Sequence, residues 1–302
     1  MNLWRPDVSS TRSNHIEIRW KISSYERRWE RRCLMLNRIL ALASNTRKEA
    51  FRNRAFVVLV MLGVLLNLTG WALAKLAVRS QQVRVIQDFG FFAVSIVAVM
   101  TAILMGVILL YKELDKKTIY ALVPKPVTRL EILLGKFVGL MSLLVGLTIT
   151  LGLFWLFFLW WHDALQVAEQ SIVAEVFKCL FLIILEAMVI TSLALLFSSW
   201  TRPFLSGMFT FGYFLMGRWV HLIQEHLNAS TGTLSEPGPM RSVAQLVTYL
   251  VPDLQVFNTS RELALGIKVH GGYLLASAGY ACSFTAVFLV IGIWLFQRRD
   301  FV

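Results

Sequence analysis

The acidic residue Glu186 is the clearest candidate for chemistry inside an apolar part of the chain. It lies in the middle of the run FLIILEAMVITS. A carboxylate inside a membrane is costly, so such a residue usually faces a bundle interior or an aqueous path. Two roles are open, a part in substrate handling or gating, and structural pairing with a basic residue of a neighbouring helix, which we favour. Arg218 and His221, near the end of a later apolar run, are interpreted as side chains that snorkel to the interface.

The spacing of the histidines and cysteines supports neither a metal site nor a disulfide framework. His221, Glu225 and His226 do not form HExxH, because their spacing puts the two imidazoles on different helix faces. The cysteines are odd in number and far apart, at Cys33, Cys179 and Cys282. We therefore expect no bound metal.

Motifs for nucleophilic catalysis and for nucleotide hydrolysis are missing from the sequence. It has no GxSxG and no compelling Ser/His/Asp or paired-carboxylate arrangement at a predicted water boundary. Gly135 and Lys136 do not complete a phosphate-binding loop, because Leu130 occupies the earlier glycine position and Phe137 follows the lysine. We expect no catalytic residues, no cofactor bound by this chain and no ATP hydrolysis by it.

The composition predicts an all-α polytopic membrane protein. The 302 residues are 57% hydrophobic and 16% charged, whereas soluble domains are typically about 45–50% apolar and about 25% charged. Six apolar runs are long enough to cross a bilayer, at about 55–74, 89–111, 130–161, 176–200, 204–222 and 272–296. Short outer helices are expected between the last two spans, at about 241–251 and 259–267, the second starting with a capping box of Thr259 and Glu262.

The distribution of basic residues predicts the orientation. Most of the 30 Lys and Arg residues fall in segments that are inner if both termini are cytoplasmic. The positive-inside rule therefore favours an N-in/C-in topology. Because this bias also explains the net charge of +12, we expect no nucleic acid partner. The run FWLFFLWW at the end of the third span is interpreted as an interfacial aromatic belt.

A strongly polar segment, Lys112 to Lys136, lies between the second and third spans. It must stay in water while its flanks enter lipid. Pro124 and Pro126 end a short surface helix. Thr128 and Glu131 then form a capping box that starts the helix of the third span. The predicted order is span, surface helix, proline turn, capped helix and span.

The N-terminal region divides at Met35. Residues 1–34 are interpreted as a basic tail, either disordered or the result of a misassigned start, and 35–302 as the transmembrane domain. Apolar residues recur among basic ones from Met35 onward, which predicts an amphipathic helix on the inner membrane surface.

Small residues share one face at the start of the third span, and they allow another helix to approach closely. Intramolecular packing and a dimer seam are equally open for this face, which consists of Gly135, Gly139, Ser142 and Gly146.

The run YKELDKKTIYALVPKPVTRLEILLGKFVGL resembles the cytoplasmic loop of ABC-2 type permeases. The juxtamembrane NRILALASNTRKEAFRNR is similar to the elbow helix of the same family, and LLFSSWTRP and VPDLQVFN are also similar. The matching loop positions are Glu113, Thr118, Ile119, Leu122, Pro126, Val127, Thr128, Arg129, Glu131, Gly135 and Lys136.

The resemblance implies a fold, a partner and a function. A coupling helix over 113–123 would dock into a separate ATPase subunit, and two permeases with two ATPases would form the transporter. ATP and Mg would then be bound by the ATPase. The resemblance implies a multi-pass protein of a bacterial inner membrane, in contact with lipids, working as an exporter of an unidentified substrate through a homo- or heterodimer of permeases.

Two other functions are weighed against transport. One is a non-transporting membrane accessory of metalloprotein maturation at a copper centre, since some relatives of such permeases are associated with it. The other is a polytopic lipid-modifying enzyme, which would need clustered His, Asp and Arg at one interface, and no such cluster is evident.

Overall fold

The computed structural model describes helical segments joined by short connections. The described residues are 35–78, 82–115, 128–161, 166–167, 170–171, 173–228, 239–260, 262 and 267–298. The predicted tail 1–34 and most of the predicted surface helix 113–123 lie outside them.

Nearly all regular structure in the described residues is helical, as the composition predicts. The order is α1 (35–51), α2 (Arg54–Leu76), α3 (Gln82–Asp115), α4 (Arg129–Trp161), β1 (Gln166–Val167), β2 (Gln170–Ser171), α5 (Val173–Trp200), α6 (Pro203–Asn228), α7 (Pro239–Leu250), a 3-10 turn (Leu254–Phe257) and α8 (Gly271–Arg298). The two strands form a two-residue antiparallel pair.

Among the described residues, five helices are long and apolar enough to cross a membrane. They are α2, α3, α4, α5 and α8, and they coincide with five of the six predicted spans. The predicted fifth span, 204–222, lies within α6, whose 26 residues extend about 39 Å at 1.5 Å per residue. Its glycines, hydroxyl residues and Arg218 lower its hydropathy, so α6 is not among the five.

Helices α3 and α5 form the centre of the bundle. Most of the apolar length of both is buried, whereas α2 and α8 bury only a small part of theirs. Helix α2 packs on α3, and α8 packs on α5. The outer faces of α2 and α8 expose large apolar side chains such as Met61, Leu65, Leu275 and Val290. Continuous apolar surface of this extent suits contact with lipid.

The aromatic run at the end of α4, interpreted as an interfacial belt, is divided between the core and the surface. Trp160 and Trp161 are exposed, but Trp155 is only 1% exposed. Its indole Nε1 donates to the carbonyl of Ile86 at 3.1 Å. The ring fits because position 90 is glycine, where a Cβ would lie 2.0 Å from Nε1.

The region between α6 and α8 packs back onto the bundle. Leu254 and Phe257 of the 3-10 turn are fully buried, and Leu254 lies against Gly217 of α6. The hydroxyl of Thr259, predicted to cap a helix, lies 3.2 Å from Cys179 Sγ. Asn258 Oδ1 accepts from the amide of Ser260.

Candidate functional site

An ion pair joins two helices in the interior of the bundle. Glu186 lies near the middle of α5 and is fully buried. Arg218 of α6 places Nη2 2.9 Å from Glu186 Oε1 and donates a hydrogen bond of 3.2 Å to Oε2. A buried charge remains charged only when it is paired and hydrogen-bonded. The arrangement therefore fixes α5 against α6.

Ser95 of α3 completes this group. Its Oγ donates to Glu186 Oε2 at 3.4 Å and accepts from Arg218 Nη2 at 3.3 Å. We call Ser95, Glu186 and Arg218 the polar triad. It connects α3, α5 and α6 at one depth, so a displacement of any one helix alters the hydrogen bonds of the other two.

The position of Arg218 corrects the snorkelling interpretation. Its side chain is 21% exposed and is turned toward Glu186. Pairing replaces part of the hydration that the guanidinium would otherwise seek at the interface. Pairing of Glu186 with a basic residue of a neighbouring helix was favoured from the sequence, and Arg218 is that residue. Ser95 was missed, because a lone serine in FFAVSIVAVM carries no signal that distinguishes it from a packing residue.

A cavity of about 700 Å³ lies over the triad. Ser95 and Arg218 line its polar floor. Phe214 forms part of the wall and lies below the guanidinium, with 5.6 Å between its ring centroid and Arg218 Cζ. Arg84 and Asp88, one helical turn apart and exposed, line the part nearer the start of α3. The volume falls within the range of about 300–1,000 Å³ typical of ligand pockets.

The predicted coupling residues lie mostly outside the described side chains. This holds for Glu113, Thr118, Ile119, Leu122, Pro126 and Arg129, although the backbone is helical through Asp115 and again from Arg129. The capping box that starts α4 is present. The amide of Thr128 donates to Glu131 Oε2 at 2.8 Å, and the amide of Glu131 donates to Thr128 Oγ1 at 3.3 Å.

A buried lysine ties the two helices that frame this segment. Lys136 of α4 is 2% exposed, and its ammonium donates to the carbonyl of Leu109 in α3. The bond thus joins the helix that precedes segment 116–127 in the sequence to the helix that follows it, and the first of them, α3, also carries Ser95.

The small-residue face of α4 receives α1 from the same chain. A Cβ at Gly135 would lie 2.6 Å from Leu42 Cβ, and one at Gly139 would lie 2.7 Å from the carbonyl oxygen of Ala43. Ser142 Oγ donates to the carbonyl of Gly139, and Gly146 has open space around its Cβ position. Close approach thus occurs at the first two positions.

The geometry offers no metal centre among the described side chains. In the ranges given above, no group of three or more His, Cys, Asp or Glu residues could hold an ion. His221 instead lies 3.3 Å from Glu225 Oε1 and 3.8 Å from Asp253 Oδ2.

The fold and the apolar helices together define a multi-pass helical membrane protein. The sequence profile of the ABC-2 family transporter proteins matches residues 40–301. The chain therefore belongs to this family, and the resemblance seen in the sequence is confirmed. It is a permease, the transport subunit of an ABC transporter. No curated protein matches the chain with significant similarity.

Proposed function

We propose that this chain is the permease of an ABC exporter driven by ATP hydrolysis on a separate ATPase subunit. Two ATPase copies, which bind ATP and Mg, would dock on a pair of permeases, either identical or different. The chain would lie in a bacterial inner membrane with both termini and segment 116–127 in the cytoplasm, and α1 would lie on the inner membrane surface as an elbow helix.

The bond from Lys136 to Leu109 is the observation that carries this proposal. It joins α3 and α4, the helices that precede and follow the segment that resembles a coupling helix. Helix α3 continues without a break from this bond to Ser95 of the polar triad. Docking at Glu113, Thr118, Ile119 and Leu122, braced by the turn from Pro126 to Glu131, would thereby move the helices around the cavity.

Complex formation is the first test. The tagged chain is purified from its native membrane in mild detergent, and a co-purifying chain with a GxxxxGK[ST] phosphate loop is sought by mass spectrometry. We expect such a chain with the wild type, and a reduced yield with Glu113→Ala and Arg129→Ala. Lys268→Ala, an exposed cation in the loop predicted to be outside, is the matched control and should leave the yield unchanged. Equal yields in all variants, or no such chain with the wild type, would contradict the coupling role.

A further inference from the structure

A second cavity lies along the same two helices. It has a volume of about 480 Å³ and is lined almost entirely by apolar groups. Met100, Ile103 and Val107 of α3 form one side, and Phe204 and Met208 of α6 form part of the other. The polar cavity involves the early part of α3 and the late part of α6, and the apolar cavity involves the opposite parts. The two helices are therefore antiparallel, and we call the two cavities along them the groove.

The groove is polar in one part and apolar in the other, as an amphiphilic molecule is. On α3 its lining residues recur every three or four positions, from Arg84 through Ser95 to Ile108, so they share one helix face. The stretch from Ser95 to Ile108 covers about 20 Å at 1.5 Å per residue. One leaflet of hydrocarbon is about 15 Å thick, half of the 30 Å core. An acyl chain can thus lie along the apolar part while its head occupies the polar part.

The charges that face the polar cavity favour an anionic head. Arg84, Asp88 and Arg218 line it, whereas Glu186 is fully buried behind Arg218. Two cations and one acid therefore line the cavity, and Arg218 contacts Glu186 and Ser95 through Nη2, so its other guanidinium nitrogens can donate to a ligand. Ser95, Asn258 and Ser260 add neutral hydrogen-bonding groups to the lining. Phosphate oxygens accept strong charge-assisted hydrogen bonds from guanidinium groups.

The groove is open at its apolar end. Leu104, Phe204, Met208 and Phe211 are all exposed large apolar side chains, so a lipid tail can enter sideways between α3 and α6. The triad lies near the middle of α5, so a phosphate bound at Arg218 would lie about 20 Å from either end of that helix at 1.5 Å per residue.

We propose that the groove between α3 and α6 binds an anionic phospholipid as cargo, with its phosphate near Arg218 and Ser95 and an acyl chain along Met100 to Ile108. This inference names the substrate class of the proposed transporter and rests on that proposal. Binding to the permease alone tests it without the ATPase, so a failure of binding is distinguishable from a failure of coupling.

Three probes separate the contributions of head and tail on the full wild-type chain. Dioleoyl phosphatidylglycerol, dioleoylglycerol and glycerol phosphate are each titrated in detergent and followed by native mass spectrometry. We expect phosphatidylglycerol to bind about tenfold or more tighter than the other two, since only it fills both cavities and bonds to the cations. If dioleoylglycerol binds as tightly as phosphatidylglycerol, the charges have no role in binding. If glycerol phosphate binds as tightly, the site is one for free phosphate. Either result overturns the proposal.

Two pairs of variants locate the site. Gly207 lines the apolar cavity and Gly212 does not, and both have open space at the Cβ position. Gly207→Phe should therefore weaken phosphatidylglycerol binding about tenfold, and Gly212→Phe should leave it unchanged. Arg84→Gln should weaken phosphatidylglycerol binding, and Lys268→Gln should leave it unchanged. If Gly207→Phe instead disrupts a dimer and leaves lipid binding unchanged, the face is an interface between copies and the proposal fails.

Discussion

At the residue scale, the polar triad accounts for a carboxylate in the apolar interior. The sequence predicted that Glu186 needs a partner, because an unpaired charge at that position is too costly. It could not identify Arg218 or Ser95, since the contacts span 32 and 91 residues of sequence. Such contacts depend on how whole helices pack. Local spacing does not encode them.

Removal of one member of the ion pair should be far more damaging than removal of both. Glu186→Ala or Arg218→Ala leaves a buried charge without its partner, and each should lower the free energy of unfolding by about 3–5 kcal/mol. The double variant Glu186→Gln/Arg218→Gln should lower the free energy of unfolding by less than either single alanine variant does. Denaturant titration in detergent measures all three.

An exposed pair in the same protein provides the control for these variants of the buried ion pair. His221 and Glu225 are both at least half exposed, so Glu225→Ala should change the free energy of unfolding by less than about 1 kcal/mol. If the Glu186 variants behave like Glu225→Ala, the triad does not hold α5 against α6.

At the element scale, patterns within a single helix were predictable and contacts between helices were not. The capping box of Thr128 and Glu131 and most helix ranges followed from local spacing. The burial of Trp155 against Gly90 and the bond of Thr259 to Cys179 required knowledge of the neighbouring helices. The small-residue face of α4 was visible in the sequence, but the sequence left intramolecular packing and a dimer seam equally open and did not identify α1 as the occupant.

The close approach of α1 to α4 predicts opposite effects at two glycines. Gly139→Ala should destabilise the protein, because its Cβ would meet the backbone of Ala43 at 2.7 Å. Gly146→Ala should be neutral or should stabilise it by up to about 1 kcal/mol, since alanine favours a helix and the space is open. Thermal unfolding in detergent compares them, and equal melting temperatures would count against the contact.

The lysine bridge between α3 and α4 should matter for both stability and coupling. Lys136→Met keeps the length of the side chain but leaves the carbonyl of Leu109 without this donor. We expect a loss of about 1–3 kcal/mol in the free energy of unfolding. ATP turnover by the docked ATPase should also become less sensitive to cargo. Unchanged sensitivity in a folded variant would mean that the bridge is structural only.

At the scale of the whole molecule, the described helices divide into a buried centre and a lipid-facing periphery. Helices α3 and α5 are mostly buried, α2 and α8 expose their apolar faces, and α6 borders both cavities. Five of the six spans predicted from hydropathy coincide with described helices that are long and apolar enough to cross a membrane, but hydropathy could not rank them by burial, because every span must be apolar. The continuous helix α3 connects the bridge at Lys136 with the triad and leads into segment 116–127.

ATP turnover in reconstituted vesicles tests this account most directly. The chain and its co-purified ATPase are placed in liposomes, and hydrolysis is measured for the wild type, Arg129→Ala and the control Lys268→Ala. We expect hydrolysis to depend on the permease, to fall with Arg129→Ala and to persist with Lys268→Ala. Hydrolysis at the same rate without the permease, or with Arg129→Ala, would contradict it.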